Sequence, residues 1–174
     1  MINKLIDPLK ILRMLSKNPS SIKLFALNKI LARTIPFNAP HNFKLQSIND
    51  TQIDICLPYE KVNFNHVKGI HACGLATLGE FCAGLLLLTK MGTEYRLILS
   101  HLEASYTYQG KTDVFGHCHI DLEKVKELKE VLKDQNQKPN YQMKTIIVDK
   151  NGIEVATVLS TWQIKHWNKV KLKV

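Results

Sequence analysis

The chain has 174 residues, 45% of them hydrophobic and 22% charged, with a net charge of +9. This composition excludes a disordered or low-complexity chain, and the length predicts about one globular domain with a substantial core. Basic side chains cluster near both ends. Such ends suit anionic partners such as phosphates, coenzyme A, anionic lipid or nucleic acid, but a solubilising surface explains them at least as well.

The cysteine content and the first residues both indicate a cytoplasmic protein. The cysteines, Cys56, Cys73, Cys82 and Cys118, form no CxxC pair. We interpret them as reduced, buried thiols and expect neither a disulfide framework nor a zinc site. Charges are spread through residues 1–18, so we expect no signal peptide.

The N-terminal region predicts two helices. Asp7 and Pro8 are typical of a helix start, and apolar and basic residues at helical spacing predict a second helix over 20–33. We therefore assign residues 1–36 to an N-terminal helical extension and residues 37–174 to the main domain. A basic amphipathic helix in this extension leaves open a peripheral contact with an anionic membrane.

The rest of the chain alternates in the pattern of β-strands, interrupted by two helices. Strands are expected over 42–47, 52–57, 95–108, 114–120, 141–148 and 153–164. A mixed-charge helix is expected over 121–134, and Asn151-Gly152 predicts a hairpin turn of the Asn-Gly type.

The helix predicted over 71–89 is apolar on every side, so it must be surrounded by protein or lipid. It carries one carboxylate, Glu80, whose burial is costly unless the group is paired or used. We reject a membrane span over 70–88, because a charge at its centre costs about 2.5–3.5 kcal/mol. We predict an α+β fold in which an antiparallel β-sheet wraps around this long buried central helix, with an edge-to-edge dimer covering the sheet edges.

A motif leads into this central helix. It contains Asn65, Gly69, the run His71-Ala72-Cys73-Gly74 and Glu80, which lies nine positions after His71. The spacing resembles that of the hotdog-fold acyl-CoA thioesterase superfamily, in particular the small thioesterases related to the phenylacetate-pathway enzyme. The layout of residues 40–165 is similar to the hotdog fold, and the N-terminal region looks closer to an uncharacterised thioesterase-like branch.

The resemblance implies a thioesterase that hydrolyses acyl-CoA or a related acyl thioester, as a homodimer or a dimer of dimers. It implies no cofactor, no metal and no nucleic-acid partner. Glu80 would act as general base or nucleophile, and the backbone N–H of Cys73 or Gly74 at the helix N-terminus would stabilise an oxyanion. Asn65 and His71 would position the reacting groups.

Three further residues are expected to contact substrate, and purely structural roles for Glu80 and His71 stay open. Gly69, Thr77 and Phe81 are the candidate substrate contacts. Glu80 could instead be a structural carboxylate bonded to a loop or a partner chain, and we slightly prefer a helix-cap role for His71 to a catalytic one.

The His-Gly-Gly of the family is His71-Ala72-Cys73 here, so side chains crowd the loop that must approach a thioester. This departure favours a second hypothesis, a non-catalytic binder of fatty acyl chains or acyl-CoA. A third hypothesis is a purely structural or regulatory dimer.

Two other patterns invite a ligand. His117 and His119 alternate with Cys118, which is a weak metal signal without further ligands at suitable spacing, and we do not favour it. Trp162 and Trp167 lie near lysines and could stack on an adenine, although the ends of amphipathic strands look the same.

Overall fold

The computed structural model describes residues 19–170; the helix start predicted at Asp7 and Pro8 lies outside the described residues. Three α-helices are present in the described part of the chain. They are α1 (Ser21–Thr34), α2 (Ala72–Met91) and α3 (Leu122–Val131). Each lies within a few residues of a helix predicted from the sequence.

Six strands form one antiparallel sheet. In chain order β1 to β6 are Lys44–Ile48, Gln52–Leu57, Tyr95–Tyr106, Val114–His119, Asn140–Asp149 and Glu154–His166. The strands lie across the sheet in the order β1-β2-β4-β5-β6-β3. All six were predicted, whereas their order depends on long-range pairing and could not be read from the sequence.

The sheet curves around α2, which confirms the predicted architecture. Fully buried leucines of α2, Leu78, Leu86 and Leu87, pack into a core built from the inner face of the sheet. Burial stabilises each such side chain by about 1.5–3 kcal/mol relative to exposure. The helix approaches β6 closely, because a Cβ atom at Gly79 would overlap the Val158 side chain.

The two sheet edges differ. Along β1, Asn28 of α1 bonds both backbone groups of Leu45, with its Oδ1 2.7 Å from the amide nitrogen and its Nδ2 3.2 Å from the carbonyl oxygen. Leu27 and Leu31 of α1 join the same core as the sheet. β3 pairs with β6 alone, and no other described element pairs with its outer edge. The domain boundary at residue 36 stays a prediction.

Two local expectations are corrected. Asn151-Gly152 does form the β5–β6 hairpin, but only Gly152 has a positive φ, at 81°, whereas a type I′ turn requires it at both central residues. The Asp149 carboxylate holds the turn by accepting the N–H groups of Asn151 and Ile153. Cys73, in the first turn of α2, is exposed and not buried. The four thiols are free.

α2 is long and apolar enough to cross a membrane by length and composition. Yet 56% of its most apolar window is buried inside the fold, as in the core helix of a globular domain. This placement agrees with our rejection of a membrane span.

Candidate active site

The loop before α2 is organised by Asn65. Its Oδ1 accepts the N–H groups of Val67 and Gly69 at 3.0 and 2.9 Å, and the Tyr59 hydroxyl donates to the carbonyl of Lys68. Lys68 has a positive φ of 57°, so the chain turns sharply here. The structure thus places Asn65 and Gly69 in the loop that sets the path of the backbone into α2.

Asn63, which the sequence did not single out, supports this loop from below. It is 2% exposed, and its Nδ2 donates to the carbonyls of His41 and Pro58 at 3.1 and 3.0 Å. Its Oδ1 lies 2.9 Å from His41 Nδ1, and its own carbonyl accepts the N–H of His71. The sequence did not identify Asn63, because a single asparagine in a polar loop belongs to no periodic pattern.

His71 caps α2, as the cap interpretation expects. Its Nδ1 accepts the N–H of Cys73 at 3.0 Å, and its carbonyl accepts the N–H of Leu75. The N–H groups of Ala72 and Gly74 make no hydrogen bond within residues 19–170. Of the two predicted oxyanion donors, the N–H of Cys73 is therefore engaged in this conformation, and the N–H of the buried Gly74 is unpaired within residues 19–170.

Glu80 lies farther along the same helix. It is eight residues beyond Ala72, which corresponds to about 12 Å at 1.5 Å per residue. Thr77, one turn before it, donates its hydroxyl to the carbonyl of Cys73 at 2.8 Å. The chain therefore does not bring Glu80 and the helix N-terminus to one point.

The Glu80 carboxylate has no partner within the described residues, since no hydrogen bond or ion pair reaches it. Burial raises the pKa of Glu80 above its ordinary value of 4.5. A carboxylate of raised pKa is a stronger base than an ordinary one, so it can accept a proton from water as a general base, or it can attack a carbonyl carbon.

Glu80 faces a cavity of about 440 Å³, which we name the Glu80 cavity. Its lining residues are Ile35, Phe37, Asn38, Glu80, Phe81, Gly84, Leu85, Leu88, Tyr95, Arg96, Leu97, Ile98, Trp162 and Trp167. The volume falls in the range of about 300–1,000 Å³ that is usual for small-molecule sites. The predicted contact Phe81 lies here, whereas Gly69 and Thr77 do not line it.

The polar groups of this cavity include Asn38 and Arg96, which sequence reasoning missed. The Arg96 guanidinium lies 6.0 Å from the ring centroid of Trp167, whose side chain is half exposed. Trp162 is buried and donates its Nε1–H to Ser160, so of the two tryptophans Trp167 has the accessible ring. Asn38 and Arg96 come to line the same cavity as Glu80 only through tertiary packing, so no local signal identifies them.

The His117 region contains a hydrogen-bonded histidine–aspartate pair. His117 Nδ1 lies 2.7 Å from Asp54 Oδ1, and Asp54 also accepts bonds from Ser47 and Gln52. Burial acts to raise the pKa of Asp54, but these hydrogen bonds outweigh it and lower the pKa. Among residues 19–170, no group of three or more His, Cys, Asp or Glu side chains is placed to hold a metal ion.

Solved structures share this arrangement of sheet and helix. A protein of unknown function and probable thioesterase from Pseudomonas aeruginosa is 21% identical, with a TM-score of 0.74 over 82% of this chain and 95% of that one. A thioesterase from Haemophilus influenzae is 10% identical, with a TM-score of 0.67 over 87% and 94%. A thioesterase family protein from Silicibacter pomeroyi is 12% identical, with a TM-score of 0.63 over 82% and 98%.

The class of protein follows from this likeness: the chain has the hotdog fold that its loop–helix motif predicts. The chain belongs to the DUF4442 family, described as a domain of unknown function, which matches residues 25–164. No curated protein matches the sequence.

Proposed function

We propose that the protein hydrolyses an acyl thioester such as acyl-CoA, with Glu80 as the catalytic carboxylate. The observation that carries this proposal is a carboxylate of raised pKa, without a partner in the described residues, facing a largely apolar cavity. The thioesterases among the structures of similar fold support the same chemistry.

In the proposed reaction Glu80 takes a proton from water while the water oxygen adds to the thioester carbonyl carbon. The N–H of Gly74 and the positive end of the helix dipole stabilise the oxyanion that forms. The carbon–sulfur bond then breaks, and the leaving thiolate receives the proton. Direct attack by Glu80, followed by hydrolysis of the anhydride, is the alternative route.

The separation of Glu80 from Gly74 argues that a second copy completes the site. β3 runs between the two halves of the site: Leu97 and Ile98 line the Glu80 cavity, and the Tyr106 hydroxyl donates to the carbonyl of Ala72 at 3.2 Å. Antiparallel pairing of β3 with the β3 of a copy reverses the strand direction. The helix N-terminus of one copy would then meet Glu80 of the other.

Exposed apolar side chains along β3 support this pairing. Ile98, Leu102 and Tyr106 are 41%, 37% and 48% exposed, which is unusual for an apolar strand with one unpaired edge. A homodimer through this edge would cover them.

A specific observation favours the second candidate function, a non-catalytic acyl-CoA binder. The N–H of Cys73, one of the two predicted oxyanion donors, is held by the His71 ring in this conformation. A binder needs the cavity but not these donors.

The test is release of free thiol from short, medium, long and aromatic acyl-CoAs. We expect Glu80→Gln to lower turnover at least about 100-fold, because a positioned general base contributes that much. Glu127→Gln, which changes an exposed glutamate on α3, is the matched control and should not change the rate. An inert wild type that acyl-CoA stabilises against heat would establish the binder instead.

Mixed dimers test the shared site. Gly74→Pro removes the proposed oxyanion donor in the first helical turn, where proline is tolerated best. A mixture of Glu80→Gln and Gly74→Pro chains should regain activity, because a mixed dimer holds one intact site. Failure to regain activity, or a monomer by light scattering, would contradict the shared site.

A further inference from the structure

Asn38 differs from every other buried polar side chain in the described part of the protein. Asn63, Thr145, Asp149 and Ser160 are also buried, and each makes a side-chain hydrogen bond. Only 8% of the Asn38 residue is exposed, and its side-chain amide makes no hydrogen bond within residues 19–170. An unpaired amide on a largely buried residue needs an explanation.

The position of Asn38 supplies one. Asn38 and Phe81 line the Glu80 cavity and also a second cavity of about 690 Å³ between α1 and β1, which we name the α1 groove. The apolar walls of the groove include Leu24, Phe25, Leu31, Phe43 and Leu45. The two cavities therefore share one amide side chain and one aromatic ring in their walls.

We propose that the Glu80 cavity and the α1 groove form one channel for the acyl chain of a long-chain thioester. This proposal rests on the proposed function and names its substrate class. The thioester carbonyl lies between Glu80 and Asn38, and the Asn38 amide N–H donates to a carbonyl oxygen. The hydrocarbon tail continues past Phe81 into the α1 groove.

The length of the groove favours an extended chain. α1 has 14 residues, so it is about 21 Å long at 1.5 Å per residue. A compact aromatic acyl group would leave most of a groove along this helix empty. Each methylene buried in the groove should strengthen binding about fourfold.

The test uses ligands that cannot be hydrolysed, so that binding is measured apart from turnover. 2-Oxohexyl-CoA and 2-oxotetradecyl-CoA are thioethers that keep a carbonyl group and differ only in chain length. We expect the wild type to bind the tetradecyl ligand at least about tenfold more tightly by titration calorimetry.

Two variants on α1 locate the tail. Ala32 lines the groove and Ala26 does not, although both are exposed. Ala32→Trp should weaken binding of the tetradecyl ligand about tenfold and leave the affinity for the hexyl ligand within about twofold of the wild-type value. Ala26→Trp, the matched control, should leave both within about twofold.

Asn38→Leu tests the polar end of the channel. It should weaken both ligands by a similar factor of about five to ten, because both keep the carbonyl group. The melting temperature should stay near that of the wild type, which shows that the variant folds.

Equal binding of the two ligands by the wild type, or unchanged tetradecyl binding by Ala32→Trp, would overturn the channel. These outcomes are separate from the failure of the proposed function. Binding that depends on chain length, without turnover of any acyl-CoA, would contradict the proposed hydrolase function and support the channel. Turnover of acyl-CoA without an effect of chain length on binding would support the hydrolase function and contradict the channel.

Discussion

Two contrasting groups of polar residues lie around the central helix. At its N-terminal end, Asn63, Asn65 and His71 bond to neighbouring backbone groups and hold the loop. Glu80, half-way along the helix, and Asn38 line a largely apolar cavity, and their side chains make no hydrogen bond within the described residues. The first group stabilises the fold, and we propose that the second binds a ligand.

Substitution of the two buried asparagines by leucine should give the largest difference in stability between the two groups. Asn63→Leu leaves the carbonyls of His41 and Pro58 without their donor, so we expect a loss of about 2–3 kcal/mol in the free energy of unfolding. Asn38→Leu removes no hydrogen bond made within residues 19–170, and we expect a change below about 0.5 kcal/mol. Urea denaturation of the three proteins measures both values.

The same experiment shows how the comparison can fail. Equal losses in the two variants would mean that Asn38 supports the fold as Asn63 does, which contradicts its assignment to a ligand site.

A smaller effect is expected in the pH dependence of stability. Burial raises the pKa of Glu80 in the folded protein above 4.5, so the folded state binds this proton more tightly than the unfolded state. The resulting stabilisation is fully present below pH 4.5 and is lost as the pH rises through the raised pKa. Thermal melts should therefore show the wild type losing stability relative to Glu80→Gln over this window.

Glu127→Gln serves as the control for this pH series, because Glu127 is exposed. Titration of Asp54 acts in all three proteins and cancels in the differences. A constant difference between the wild type and Glu80→Gln at every pH would show that the Glu80 pKa is not raised by folding.

The smallest effect concerns the N-terminal end of the helix and should leave stability unchanged. Cys73 is exposed, whereas burial raises the pKa of the Cys56 and Cys118 thiols to about 11 and that of Cys82 well above its ordinary value of 9.0. Because the thiolate reacts, iodoacetamide should modify Cys73 first in the native protein. Mass spectrometry of native and denatured samples measures this order.

Labelling of Cys73 also tests the proposed role of the helix N-terminus in turnover. Cys73→Ser should prevent the fast reaction, and modified wild type should lose thioester turnover because the adduct covers the helix N-terminus. Early modification of Cys56, Cys82 or Cys118 in the native protein would contradict the burial that the fold shows.

The elements of this fold were largely predictable, because local periodicity reports them. Alternation over residues such as 153–164 arises whenever one face of a strand is buried, and the all-round apolarity of residues 71–89 indicated a wrapped helix. The exposure of Cys73 was missed, since it depends on where the first turn of α2 lies against the rest of the fold.

The candidate site also has parts that the sequence predicted and parts that only the tertiary structure revealed. The spacing from Asn65 to Glu80 placed a polar loop, a helix cap and one carboxylate in order along the chain, because neighbours in sequence stay neighbours on a helix. Asn38, Arg96 and the strand order came only from the tertiary structure. Such contacts join segments far apart in the chain, and they depend on how the whole core packs and not on any local pattern.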